Sequence, residues 1–101
     1  MPATESPVNY ADRISATGQV QYLAVNLAGT RLRQIIVCPT GSAGSFVLRD
    51  GGAGGQVRLP QVDTPASAGA YFVIDIPADG LVFQTSVHAT ISNCALVCAF
   101  G

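Results

Sequence analysis

His88 is the only histidine of this chain, and it follows Ser86 by two residues in the stretch TSVH. On an extended strand that spacing places both side chains on one face, as a serine nucleophile and its general base would require. The rest of the constellation is missing. No G-x-S-x-G elbow surrounds Ser86, and no acid stands where it would orient the imidazole. A lone histidine in a strand is more often structural, and His88 is read that way. A small hydrolase built on it is the weakest of the functional readings.

The other reactive side chains form no catalytic set either. Zinc takes three or four ligands, and one histidine with the dispersed Cys38, Cys94 and Cys98 shows no ligand spacing. Three is an odd count, so a full disulfide framework is excluded. Cys94 and Cys98 share a strand face about 13 Å apart at ~3.3 Å per residue, beyond the ~7 Å limit for a bridge. All three are expected as free thiols acting as small hydrophobes. Asp50, Asp63, Asp75 and Asp79 fall at turns or outward strand positions, with Asp75 opposite its neighbours Ile74 and Ile76. A carboxylate pair for glycoside hydrolysis needs a deep cleft, for which a chain this short has little room. No catalytic, cofactor-binding or metal-ligating residue is assigned, and the chain is expected not to be an enzyme.

Residues 51–55, GGAGG, pose a sharper question, because glycine loops can cradle phosphate. A phosphate-binding Walker loop needs a lysine before its Ser or Thr, and the chain contains no lysine. The dinucleotide fingerprint needs a third glycine opening a helix. Counted from Gly52, that position is Val57, in a β-prone stretch. The loop is expected to be a hairpin connection whose glycines admit positive φ.

Around these residues the chain punctuates itself every 8 to 12 residues with glycine, proline or Asn/Asp, the spacing of a sandwich or barrel. β-prone stretches cover residues 19–27, 31–38, 45–50, 56–59, 70–76, 81–91 and 94–100, and no window sustains a capped helical period. The pattern predicts an all-β, jelly-roll-like antiparallel sandwich of about eight short strands over residues 18–101, preceded by an extended arm, residues 1–17. Its expected core is Leu23, Val25, Ile36, Phe46, Leu48, Phe72, Ile74, Leu81, Phe83, Leu96 and Phe100. A chain of 101 residues suffices for one such domain.

Composition narrows the function classes. Charged residues make up 11% of the chain, against roughly 25% in an average soluble domain. So sparse a charge implies apolar or neutral surface that a partner covers. The net charge is −1 and no basic run exists, which argues against nucleic acid. No apolar run approaches the roughly 20 residues of a bilayer span, and the first residues lack the form of a signal peptide. A soluble protein assembled inside a cell is expected. The basic residues are all arginine, the cation that best tolerates an interface.

The stretch from residue 18 onward resembles small turn-rich structural proteins of tailed bacteriophages. The resemblance rests on the turn NLAGT at residues 26–30, the hairpin start VLRDG at residues 47–51, and the closing run from Ile76 through Phe100. It implies a virion protein, first a capsid decoration (cement) protein that sits on the outer capsid as a homo-oligomer, often a trimer, and clamps major capsid proteins. The expected site, from the spacing of the arm's apolar residues and the alternation of arginine with apolar residues, is an interface formed by Val8, Tyr10 and Ile14 of the arm with Arg31, Arg33, Arg49 and Arg58. No cofactor, nucleic-acid or membrane partner is expected. The arm carries no motif that specifies a capsid, so a tail or fibre module binding a receptor or carbohydrate is the alternative. Such a module would want exposed aromatics, for which only Tyr10, Tyr22 and Tyr71 are available, the last two expected to pack between strands.

Overall fold

The computed structural model describes residues 9–77 and 80–101; Val8, the first half of the arm and Asp79 lie outside the described residues. The chain is all-β, with no helix among the described residues. Its strands are β1 (Asn9–Tyr10), β2 (Gly18–Gln19), β3 (Gln21–Tyr22), β4 (Val25–Asn26), β5 (Thr30–Pro39) and β6 (Gly44–Asp50). Then come β7 (Gln56–Thr64), β8 (Phe72–Asp75), β9 (Leu81–Phe83), β10 (Val87–Ser92) and β11 (Cys94–Phe100).

All pairings are antiparallel and form a β-sandwich. One sheet, here sheet A, runs β1-β11-β5-β8, with β9 continuing the β8 side against residues 30–32 of β5. Sheet B runs β2-β10-β6-β7, and β3 with β4 makes a separate hairpin. The fully buried side chains Leu32, Ile35, Val37, Leu96 and Cys98 of sheet A share a core with Phe46, Leu48, Val87 and Ala89 of sheet B. Burying a Leu- or Phe-sized side chain stabilises by roughly 1.5–3 kcal/mol relative to exposure, so this layer holds the two sheets together.

The glycine loop is a hairpin connection between β6 and β7, as its composition implies. Gly51 sits at φ 108°, and a Cβ on Gly55 would lie 2.0 Å from the Asp50 carbonyl oxygen. Glycine is required here by backbone approach. The base of the loop is stitched to residues 84–86, which carry the chain from sheet A to sheet B. The Asp50 carboxylate accepts hydrogen bonds from the backbone N–H groups of Gln84 (3.0 Å), Thr85 (2.9 Å) and Ser86 (3.3 Å). Those amides, with Gln84 and Thr85 first, hold its carboxyl below the usual value of 3.8; burial opposes the shift and Arg58 assists it slightly.

A depressed carboxylate pKa means that the unfolded chain binds the proton more tightly than the folded one. Its stabilisation is therefore present above about pH 3.8 and is lost as the pH falls through the lower folded value. In thermal melts taken from pH 6 downward, Asp50→Asn is expected to flatten the decline below pH 3.8 relative to the parent. An unchanged acid limb would show that this carboxylate does not hold the crossover.

Several expectations are corrected. The stretch at residues 19–27 is not one strand. It breaks at Leu23 and Ala24, both at positive φ (52° and 66°), which turn β3 into β4. The break leaves Leu23 72% exposed and Val25 exposed as well, while Val20 and Leu27 enter the core in their place. Ile36 also lies outside the core, because the register shift against Ala99 and Phe100 inserts a residue and puts Leu32, Ile35 and Val37 inward. The stretch at residues 81–91 divides between two sheets. Strand β7 runs on through Pro60 to Thr64, beyond the expected stretch of residues 56–59. The described half of the arm is no free extension: β1 pairs with β11, Ile14 bridges to Leu96, and both Ala11 and Ile14 pack on the core. The open edge of β11 offers that segment unpaired backbone groups, which outweigh its polar composition.

Candidate functional site

Strands β5 and β11 are apolar on both faces, in the runs IIVC and CALVCAF. Such continuous runs mark strands covered on both sides, and this sandwich covers only one. The register shows what the second side presents. Val97, Ile36 and Val73 stand as neighbours across β11, β5 and β8. Beside that row, Ala95 faces Cys38, with Tyr71 just before β8. On the other side lie Tyr10, Ala99, Gln34 and Asp75. Ala95 and Ala99 are buried among their larger neighbours, and Gln34, Ile36, Cys38 and Val97 are half-buried. Val73 is 50% exposed, Tyr10 55% and Tyr71 69%. The only charge in these rows is Asp75, and its Oδ1 accepts a hydrogen bond from Gln34 Nε2 at 2.8 Å.

Sheet B presents a different outer face. Gln19, His88, Arg49 and Val57 form a row across β2, β10, β6 and β7. Arg49 Nη1 donates to Thr90 Oγ1 at 3.1 Å, and Ser92, Ser45 and Asp63 make a further polar row. The outer face of sheet B thus mixes polar groups with Val47 and Val57, whereas those rows of sheet A are apolar apart from Gln34 and Asp75.

The arginines are not gathered into one patch. Arg31 and Arg33 belong to β5 in sheet A, whereas Arg49 and Arg58 belong to β6 and β7 in sheet B. Arg31 is exposed; Arg33 and Arg58 are half-buried, and their Nε atoms are buried without a hydrogen-bond partner among the described residues. Of the arm residues, Tyr10 lies on the apolar face and Ile14 faces inward, onto its own core. Tyr71 is exposed, contrary to expectation, and Tyr22 packs edge-on against Phe100 at 5.4 Å between ring centroids.

The residues with chemical potential are dispersed. The Ser86 hydroxyl donates to the Gly51 carbonyl oxygen at 2.9 Å, which ties it to the glycine loop. His88 is only 7% exposed, and neither its Nδ1 nor Gln19 Oε1 beside it has a hydrogen-bond partner among the described residues. No group of three or more His, Cys, Asp or Glu among the described residues could hold a metal ion. No helix among the described residues is long and apolar enough to cross a membrane.

All three cysteines are free. Burial pushes the Cys98 thiol up to about 12 and raises that of Cys94, so neither forms thiolate readily near neutral pH. Cys38 is half-buried, on the apolar face. Treatment of the native protein with iodoacetamide is expected to modify Cys38 alone, and all three after denaturation, as read by peptide mass spectrometry. Fast native labelling of Cys98 would show that the core opens.

Sequence reasoning expected apolar surface but did not place it: of the β5 and β11 runs it assigned Ile36, Leu96 and Phe100 to the core, and Ile36 instead lies in the outer row with Val97 and Val73. The available signal was the lack of alternation in those runs, set against a length that allows only two layers. Comparison of the chain with protein-family models, with curated proteins and with solved structures found no match.

Proposed function

We propose that this chain is a structural virion protein, a capsid decoration (cement) protein that binds the outer capsid as an oligomer and stabilises contacts between major capsid proteins. The observation that supports the reading is the apolar outer face of sheet A, centred on Val97, Ile36 and Val73. An uncovered face of this kind on a β-sandwich marks a protein–protein contact, and the sparse charge of the whole chain agrees with burial against a partner. The chain is read as non-catalytic, without cofactor, and as a component of the particle surface. Tyr10 and Tyr71 favour one alternative. Their exposed rings suit sugar stacking, the contact expected of a tail or fibre module that binds a receptor carbohydrate.

Adding the purified chain to capsids that lack it tests the proposal. Saturable binding in proportion to the capsid-protein lattice, with Cys38 shielded from alkylation in the bound state, is the expected result. Val97→Arg should abolish binding while leaving the far-UV spectrum intact, because it places a charge in the centre of the face. A deletion confined to residues 2–8 tests the arm, since a longer one would remove Ala11 and Ile14 from the core. Failure of the full-length chain to bind capsids, or a copy number fixed at that of a tail, removes the decoration reading.

A further inference from the structure

We infer that β8 is a self-pairing edge, and that its partner is β8 of a second copy of this chain. The ladder phase carries the argument. The Ile76 amide donates to the Arg33 carbonyl at 3.1 Å, and the register continues through Gln34↔Asp75, Ile35↔Ile74, Ile36↔Val73 and Val37↔Phe72. Hydrogen-bonded and non-hydrogen-bonded pairs alternate in an antiparallel ladder. Ile74 and Phe72 therefore bond to β5, while the amides and carbonyls of Val73 and Asp75 point away from the sheet. Among the described residues no strand pairs with that side of β8.

Edges of soluble sheets are normally blunted by shortness, charge, proline, a bulge or an inward charge. Strand β8 is short, at four residues, but it lacks lysine, proline and a bulge. Its pairing with β5 shows no register shift, no proline interrupts Phe72–Asp75, and its one charge, Asp75, is held by Gln34. Instead the edge carries two exposed apolar side chains, Tyr71 and Val73.

The strand is also complementary to itself when reversed. With Val73 opposite Val73 of the second copy on a two-fold axis, Tyr71 of each chain faces Asp75 of the other. No like charges then meet directly, a contact that would oppose pairing. The same register sets Phe72 opposite Ile74 on the inner side and continues the Val97–Ile36–Val73 row into its symmetry mate. Such an interface is isologous, the commonest kind in homo-oligomers. A four-residue edge falls well short of the ~800 Å² per partner of a standard interface. The pair is accordingly weak and reversible in solution, and two joined apolar faces make one larger surface for a third partner.

Sedimentation equilibrium of the full chain over a dilution series, with Val73→Pro as the comparison, tests the inference. By the ladder phase the Val73 amide points away from β5, so proline removes an outward donor and is compatible with an edge strand. The parent is expected to self-associate reversibly, and its Val73 and Asp75 amides to exchange more slowly with solvent as concentration rises. Val73→Pro is expected to weaken association at least about tenfold, the equivalent of about 1.4 kcal/mol. If that variant does not fold, Val73→Lys reads the same contact by setting two like charges on the two-fold axis. A parent that stays monomeric throughout the series overturns the inference, as does a folded variant that associates as well as the parent. The measurement needs no capsid, so a chain that pairs through β8 and ignores capsids would remove the decoration reading and leave this one standing.

Discussion

Phe46→Ala is expected to cost about 3–5 kcal/mol of stability, the range for truncating a buried aromatic side chain. Phe46 is fully buried at the middle of β6, opposite Ile91 on one side and Val62 on the other. It lies in the layer where the two sheets meet, and removing its ring leaves a void that rigid strands on both sides close only in part. Total stabilities of small domains lie near 5–15 kcal/mol. The melting temperature should then fall by more than about 12 °C, taking ~4 °C or more per kcal/mol for a domain of this size. Leu23→Ala is the control. Leu23 is largely exposed at the β3–β4 turn, so its truncation should change stability by less than about 0.5 kcal/mol. Urea unfolding of the two variants against the parent reads both values. A cost below about 1 kcal/mol for Phe46→Ala would mean that the sheets do not pack through this ring.

That contrast also shows what was legible in the sequence. Phe46 alternates with Leu48 in a short stretch bounded by turn residues, and period-two reasoning places it inside. Leu23 alternates just as cleanly with Val25 and Leu27, and the same reasoning fails there. The failure has a physical cause: the reversal at Leu23 and Ala24 uses residues that disfavour positive φ, so no glycine or asparagine announces it. What enforces the turn is Asp12, eleven residues from Leu23, a tertiary contact that local propensity cannot report. Asp50 behaves likewise. It reads as an ordinary turn carboxylate before the glycine loop, yet it takes three amides from residues 84–86. The glycine loop was legible in its role as a hairpin connection, because a run of glycines between two β-prone stretches announces a turn without a structure. The candidate face was only half legible. The sequence shows that the runs in β5 and β11 are apolar, but the side that stays uncovered depends on the register shift at Ala99 and Phe100.

Replacing Leu23-Ala24 by Asn-Gly is expected to raise stability by about 1–2 kcal/mol: each ordinary L-residue in the left-handed region costs roughly 1–2 kcal/mol, asparagine relieves that only in part, and glycine adds chain entropy. Asp12 now carries that cost. Its Oδ1 accepts the Leu23 amide at 3.1 Å and its Oδ2 the Ala24 amide at 2.9 Å, while its own amide donates to the Gln21 carbonyl at 2.7 Å. The side chain of residue 12 thus binds both amides of a turn whose residues would otherwise relax to negative φ. Asp12→Ala should lower stability by on the order of 1 kcal/mol, the net worth of hydrogen bonds of this kind. The two changes should not add. In the Asn-Gly background the turn forms on its own preference, so losing the carboxylate should cost measurably less there than in the parent. Residues in direct contact show coupling of about 0.5–3 kcal/mol, and a double-mutant cycle by urea unfolding measures it. Strict additivity would mean that Asp12 only decorates a hairpin that local forces already hold. Coupling of the expected sign would mean that the segment of residues 9–14, docked on β11, sets the conformation of the neighbouring hairpin, and that the exposed Leu23 and Val25 keep their place through a contact made from the arm.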